Sequence, residues 1–163
     1  MYGAGAMNDV ILFAHPMFGM LGVLASLWVF VEALNASEAN RSRIRIAAFI
    51  VAGCLIAAWA LGEHGRMSFY ASERAIILKG PWPWADNVVM ATKERLFFIP
   101  LILALYLPIA AAANLARNRG ARVVAMAAAA LIVFNGLAIE AAGAVISYAG
   151  KLALLHAGVA GVE

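Results

Sequence analysis

The chain has 163 residues, of which 65% are hydrophobic and only 13% are charged, and its mean hydropathy is +0.89. So few charged residues cannot cover the surface of a soluble domain of this size, which excludes an ordinary soluble fold. The net charge of +3 does not indicate a nucleic-acid partner, because the arginines flank apolar runs and are interpreted as membrane-topology signals.

Four apolar runs are each long enough to cross a hydrocarbon core of ~30 Å, which takes ~20 residues of helix. They predict transmembrane helices over residues 10–34, 44–62, 96–115 and 121–148. The first run is expected to be a retained helix, because it is too long for a signal-peptide core and no Lys or Arg precedes it. Short connections make neighbouring helices antiparallel. The predicted fold is one all-α membrane domain over residues 1–163, an up-down-up-down four-helix bundle.

The connection over residues 63–95 is long and polar, and it is expected to lie on the membrane surface and cap the bundle on its outward side. Trp82 and Trp84 have the amphipathic rings that prefer the headgroup zone. Beyond the fourth span, Gly150 predicts the end of the helix. The following KLALLHAGV is then expected to form a short interfacial helix.

Basic residues near short loops predict the orientation. The two short connections carry six arginines, whereas the six basic residues of the opposite side are spread over a much longer stretch. This density predicts that the short connections lie in the cytoplasm. Both termini and the long loop would then be periplasmic, in the inner membrane of a bacterium.

Four ionisable residues, one on each predicted helix, fall at nearly the same depth: His15, His64, Arg95 and Glu140. Each lies about 22 to 25 residues from the centre of its nearest short turn, at ~1.5 Å of rise per residue. A carboxylate at the depth of Glu140 is costly and normally pairs with a cation or marks a functional path. One interpretation is therefore an ion pair of Glu140 with Arg95 or a histidine that holds the bundle together.

The other interpretation is a cofactor site. Neutral imidazole is the usual axial ligand of haem iron in membrane cytochromes, and a four-helix bundle provides facing walls for the ring. The sequence thus predicts a b-type haem on His15, with His64 as the second ligand and Glu140 tuning the site or passing a proton. Electrons would be exchanged with a quinone or a periplasmic c-type cytochrome. Cations for the haem propionates are available on the same side: Arg66, Arg74, Lys93 and Arg95.

Two stretches resemble known families. The FAHPMFG opening and the four-span plan are similar to small bacterial membrane proteins that begin with a His-Pro helix, including the cytochrome b561-like group. The stretch LKGPWPWADNVVMATKERLFFI resembles a family of uncharacterised bacterial membrane proteins whose pattern runs WPWAHN and then METKEHLFF. Together these matches cover under half of the chain. Asp86 and Arg95 stand where that pattern has histidines, so a cofactor held by either histidine would be lost here.

Two further interpretations stay open. Small size, many small residues and a surface loop with two tryptophans fit a non-catalytic accessory subunit, which would contact a larger membrane complex or a second copy of itself. A metal-handling protein that uses His15 and His64 with a carboxylate is the interpretation with least support, because no tight ligand spacing is present. The carboxylates on that side are Glu63, Glu94 and Glu140, and four methionines there could add a soft ligand but are expected to serve in packing: Met17, Met20, Met67 and Met90. No nucleophile–base pattern, phosphate-binding loop or metalloprotease motif occurs, so the sequence is not interpreted as an enzyme.

Overall fold

The computed structural model describes residues 2–160, and side chains are described for residues 9–158. The elements in chain order are helix α1 (Tyr2–Leu34), α2 (Arg41–Ser68), α3 (Tyr70–Lys79), a π-helix (Ala85–Met90), α4 (Ala91–Leu96), α5 (Phe98–Ala112) and α6 (Arg119–Ala160). Four stretches are long and apolar enough to span a membrane: Asp9–Leu34, Arg41–Ser68, Ala85–Ala112 and Arg119–Gly158. The all-α fold with four long apolar helices is therefore confirmed.

Small side chains fill the centre of the bundle, and many large apolar side chains lie outside. Ala47 and Ala129 are fully buried at helix contacts, where small residues let backbones approach closely. Phe49, Ile109 and Phe134 are 63%, 68% and 74% exposed. A soluble protein rarely exposes so much large apolar surface, and a lipid-facing surface accounts for it.

Helices α1 and α2 run antiparallel, as two contacts at opposite ends show. Near the end of α1, Glu32 accepts a hydrogen bond from Nε of Arg43 at 2.9 Å, close to the start of α2. Near the start of α1, the Nδ1 of His15 contacts the carbonyl oxygen of Ala58 in the second half of α2 at 2.8 Å. The short connection over residues 35–40 joins these two helices.

The connection predicted over residues 63–95 is mostly helical. Helix α2 continues to Ser68, α3 follows almost at once, and the third span begins at Ala85 rather than near residue 96. Between α3 and the π-helix, the ring of Trp82 packs on the rings of Trp84 and Tyr148, with centroids 5.4 and 5.3 Å apart. These tertiary contacts order a segment whose glycine and prolines predict irregular structure.

The predicted end of the fourth helix at residue 148 is wrong, because α6 continues through Gly150 to Ala160. A glycine inside a helix costs only ~1 kcal/mol relative to alanine. Packing against α3 and the residue after it offsets this cost, since Ala149 and Ala153 on either side of Gly150 are 1% and 4% exposed. The tail is thus the last part of α6 and not a separate interfacial helix.

A short interruption at Phe97 divides α4 from α5. Pro100 lies three residues later and has no N–H to donate to the carbonyl of Leu96. The missing hydrogen bond explains why the third span is interrupted at this point before α5 begins at Phe98.

Candidate functional site

Two cavities share a wall at the end of the bundle where α3 lies, which we call the loop end. Their volumes are about 400 and about 470 Å³. The larger lies between α2 and the α4–α5 region, and the smaller is bounded by α1, α2, α3 and α6. Five residues line both cavities, and they come from α1, α2, the π-helix and α4: His15, Gly62, Arg66, Met90 and Lys93.

His15 is held in one orientation by its backbone partner. Its Nδ1 lies 2.8 Å from the carbonyl oxygen of Ala58, and a carbonyl can only accept, so Nδ1 carries the proton. In the neutral ring this leaves Nε2 with a free lone pair. Gly62 allows the close approach, because a Cβ at that position would lie 2.8 Å from Cε1 of the imidazole. A ring nitrogen fixed to a carbonyl, with the other nitrogen free, is the arrangement typical of metal-ligating histidines.

Glu140 of α6 reaches across to α1 at the wall of the smaller cavity. Its Oε1 lies directly against Gly19, where a Cβ would displace the end of the carboxylate side chain. One turn further along α6, Nζ of Lys93 lies 3.4 Å from where a Cβ on Gly143 would be. Within residues 9–158, Glu140 has no cation within 4.0 Å and Lys93 has no carboxylate that close. The two groups are close enough to interact electrostatically without forming an ion pair, and both line the smaller cavity.

Arg66 lies at the shared wall and is held by α2 itself. Its Nη2 contacts Oε2 of Glu63 at 2.8 Å, and its Nε lies 3.9 Å from Oε1 of Glu94. The Arg66 and Glu63 side chains are 45% and 36% exposed, so the ion pair is solvated and adds little to stability. The ion pair instead fixes the position of the Arg66 guanidinium at the mouth of both cavities.

Helix α3 is fixed over the smaller cavity by a buried carboxylate. Asp86, only 6% exposed, accepts a hydrogen bond from the hydroxyl of Tyr70 at 2.7 Å and one from Nε of Arg74 at 2.9 Å. Burial, and then the bond to Asp86, raise the pKa of the Tyr70 phenol above its usual value. The hydrogen bond to Asp86, and then the negative charge of that carboxylate, raise the pKa of the Arg74 guanidinium. Partial burial also raises the pKa of the Glu73 carboxyl, which lines the cavity.

Of the five predicted site residues, the structure brings three together. His15 and Arg66 line both cavities, and Glu140 lines the smaller one. His64 and Arg95 are exposed and line neither cavity. The expected ion pair of Glu140 with Arg95 or a histidine is not formed in the part of the chain whose side chains are described.

Helix geometry explains this division. Lys93 and Arg95 are two residues apart on one helix, which puts their side chains on opposite sides, at ~100° per residue. Lys93 faces the cavity, so Arg95 cannot. The same spacing separates Gly62, which touches His15, from His64.

Tyr70 is a site residue that the sequence does not single out, and Met90 is one of four methionines that the sequence places on this side without distinguishing it from the others. Met90 closes the π-helix and lines both cavities. Its spacing of three residues from Lys93 is the pattern that could have placed both side chains on one helix face. π-Helical turns of this kind occur frequently at functional sites.

Within residues 9–158, no group of three or more His, Cys, Asp or Glu side chains is arranged to hold a metal ion. Comparisons with protein-family models, with curated proteins and with solved structures found no match to this chain. The fold defines a class, a four-helix chain compatible with a multi-pass membrane protein. The feature of this fold that indicates a function is the cavity around His15.

Proposed function

We propose that this chain is a membrane-bound electron-transfer protein that holds one b-type haem in the cavities at the loop end, with His15 as an axial ligand. The observation that carries the proposal is the orientation of His15. Its Nδ1 is bonded to the Ala58 carbonyl and its ring forms part of both cavity walls, so that Nε2 is the nitrogen left to bind iron.

The remaining walls fit the chemistry of the group. Leu61, Phe97 and Phe98 provide apolar surface for a porphyrin ring. Arg66 and Lys93 line both cavities and would bind propionates, which are carboxylates that need cations at this level. The haem, once bound, supplies the one-electron redox centre, and everything else is done by the chain.

We propose Met90 as the second ligand, in place of the His64 that the sequence predicts. His64 is exposed and lines neither cavity, whereas the thioether of Met90 lines both. A histidine–methionine pair is a known ligation of cytochrome iron and raises its potential. Glu140 lines the smaller cavity together with Lys93 and would pass a proton beside the site.

The proposed location is the inner membrane of a bacterium, with the short turns in the cytoplasm and the loop end facing the periplasm. This orientation rests on the density of arginines at the short turns. The redox site then lies at the periplasmic level, within reach of a c-type cytochrome or of a quinone in the outer leaflet.

The experiment is a spectrum of the protein purified in mild detergent. Reduced-minus-oxidised spectra of the wild type should show a Soret and an α band, and these should disappear in His15→Ala. His156→Ala is the matched control, because His156 is exposed near the end of α6 and outside both cavities.

A colourless wild-type protein that is folded by circular dichroism would overturn the haem proposal. The accessory-subunit interpretation would then stand, and co-purification of a partner complex would be its test. Unchanged bands in His15→Ala would instead contradict the assignment of the ligand.

A further inference from the structure

Helices α1 and α6 pack closely near the middle of the bundle and separate towards the loop end. Val23 of α1 lies directly against Gly136 of α6, and one turn further the side chain of Glu140 reaches across to α1. The contact is then lost. Among the described residues, the only atom of another helix that would lie within 4 Å of a Cβ on Gly143 is Nζ of Lys93. A gap between the two helices, which we call the α1–α6 gap, therefore begins beyond Glu140.

The α1–α6 gap is the part of the smaller cavity that lies away from the larger one. It is bordered by Leu12 of α1, which is 48% exposed, and by Ala144 and Ser147 of α6, which are also exposed. The residues described at the wall of the larger cavity include none of these three. A haem held at the shared wall around His15 therefore leaves the gap open.

The position of the gap along α6 relates it to the bilayer. Glu140 lies about 32 Å along the helix from Arg119, at ~1.5 Å of rise per residue. The hydrocarbon core is ~30 Å thick, so the gap begins near its loop-end boundary and extends into the headgroup zone. Both helices that border it are long and apolar enough to span the membrane. One side of the gap is thus the interior of the bundle, and the other side faces the lipids.

The charges around the gap favour a neutral polar group. The ammonium of Lys93 and the carboxylates of Glu73 and Glu140 line the smaller cavity. Arg66 adds no free positive charge, because it is already paired with Glu63 at 2.8 Å. Two carboxylates and one ammonium disfavour an anionic headgroup such as that of a fatty acid. They suit a neutral group that accepts a hydrogen bond from the ammonium and donates one to a carboxylate.

We propose that the α1–α6 gap binds the headgroup of a quinol from the adjoining leaflet, an inference that rests on the proposed function and assigns its electron donor. Lys93 donates a hydrogen bond to a quinol oxygen, and Glu140 accepts one from a quinol hydroxyl. Lys93 has three N–H donors, so it can bind a haem propionate at the same time. The isoprenoid tail leaves between Leu12 and Ala144 into the bilayer.

Oxidation of one bound quinol to the quinone breaks two O–H bonds and releases two protons and two electrons. Glu140 accepts the protons in turn, and Glu73, which lines the same cavity and is exposed, passes them on to water. The electrons leave one at a time by way of the proposed redox centre. Two molecules of a one-electron acceptor, a periplasmic c-type cytochrome, are each reduced once.

The test measures thermal unfolding of the full chain in detergent against added decylubiquinone or decanoate. Decylubiquinone should stabilise the wild type saturably, whereas decanoate, which has the same chain length but an anionic head, should not. Ala144→Leu fills the gap and should weaken decylubiquinone binding about 10-fold. Lys93→Met removes the donor and should weaken it by at least about 10-fold. Ala141→Leu is the matched control, because Ala141 is exposed on the same helix and lines neither cavity.

A second measurement tests the role of Glu140. Decylubiquinol should reduce the haem of the wild type, seen in its α band, and should do so about 100-fold more slowly in Glu140→Gln, which cannot accept the proton. Decylubiquinone binding should be retained in this variant. An unchanged reduction rate would overturn the assignment of Glu140 as the proton acceptor.

The outcomes separate this proposal from the haem proposal. Equal stabilisation by decanoate, no saturable effect of decylubiquinone, or an equal loss in Ala141→Leu would overturn the quinol site. His15→Ala should lose the haem bands and still bind decylubiquinone. A colourless wild type that binds decylubiquinone would refute the haem alone, and a wild type with haem that does not bind it would refute the quinol site alone.

Discussion

The hydroxyl of Tyr70 should be one of the main restraints on α3. Tyr70→Phe removes its 2.7 Å hydrogen bond to Asp86 and leaves one oxygen of a carboxylate that is 6% exposed without that donor. Hydrogen bonds to charged groups contribute ~1.5–3 kcal/mol. Taking ~2 kcal/mol, the opening equilibrium of α3 should rise roughly 30-fold.

Hydrogen exchange of the amides in Tyr70–Lys79, followed by mass spectrometry in lipid nanodiscs, measures this opening directly. Tyr106→Phe is the control, because Tyr106 is also tyrosine, is 44% exposed and makes no side-chain hydrogen bond among the described residues. In a double-mutant cycle, Asp86→Asn should weaken the effect of Tyr70→Phe, since it replaces the charged acceptor of this bond by a neutral amide oxygen. Unchanged exchange in α3, or equal changes in both tyrosine variants, would refute the reasoning.

The effect has a defined pH range. The pKa of the Tyr70 phenol is raised by burial and by the bond to Asp86, so the folded state favours the protonated donor. Stability from this group is fully present below its unfolded pKa of about 10 and is lost as the pH rises through the folded pKa. The exchange difference between wild type and Tyr70→Phe should therefore be constant across neutral pH.

Two more predictions concern the ends of the bundle. In Gly62→Ala the new Cβ lies 2.8 Å from Cε1 of His15, so the ring must move from its hydrogen bond, and haem retention should fall about 10- to 100-fold. Gly53→Ala, with nothing within 4 Å of its Cβ, should retain haem as the wild type does. In the connection between α1 and α2, the bond from Asn114, and then the charge of Arg117, hold the pKa of the Glu38 carboxyl below its usual 4.5. That stabilisation is present above 4.5 and is lost as the pH falls through the folded pKa, so acid should lower the melting temperature of the wild type more steeply than that of Glu38→Gln. Parallel acid curves for the two proteins would contradict this.

The position of the site along the helices could be predicted from the sequence, but which side chains face the cavities could not. Counting residues from the short turns locates His15 and Glu140 because the rise per residue of a helix is regular. The same count selects His64 and Arg95, which point away from the cavities. To predict which side of a helix faces the cavities, one must know which side packs against its neighbours. On α2 the only indication is the small residue Gly62.

The buried carboxylate of Asp86 shows a second limit. In the sequence it stands within a polar connection, and nothing near it in the chain indicates burial. Its partners, Tyr70 and Arg74, come from α3, 16 and 12 residues earlier, and only the fold brings them together. The extension of α6 beyond Gly150 has the same origin, because packing on α3 outweighs a local signal for the end of a helix.

The most direct test of the haem proposal is the binding of added haemin to the purified protein. The expected result is one haem per chain in the wild type, with a Soret band that is lost in His15→Ala and retained in His64→Ala. That pattern would distinguish the histidine in the cavity from the histidine on the exposed face. Equal binding by His15→Ala, or loss of binding in His64→Ala alone, would contradict the site described around His15.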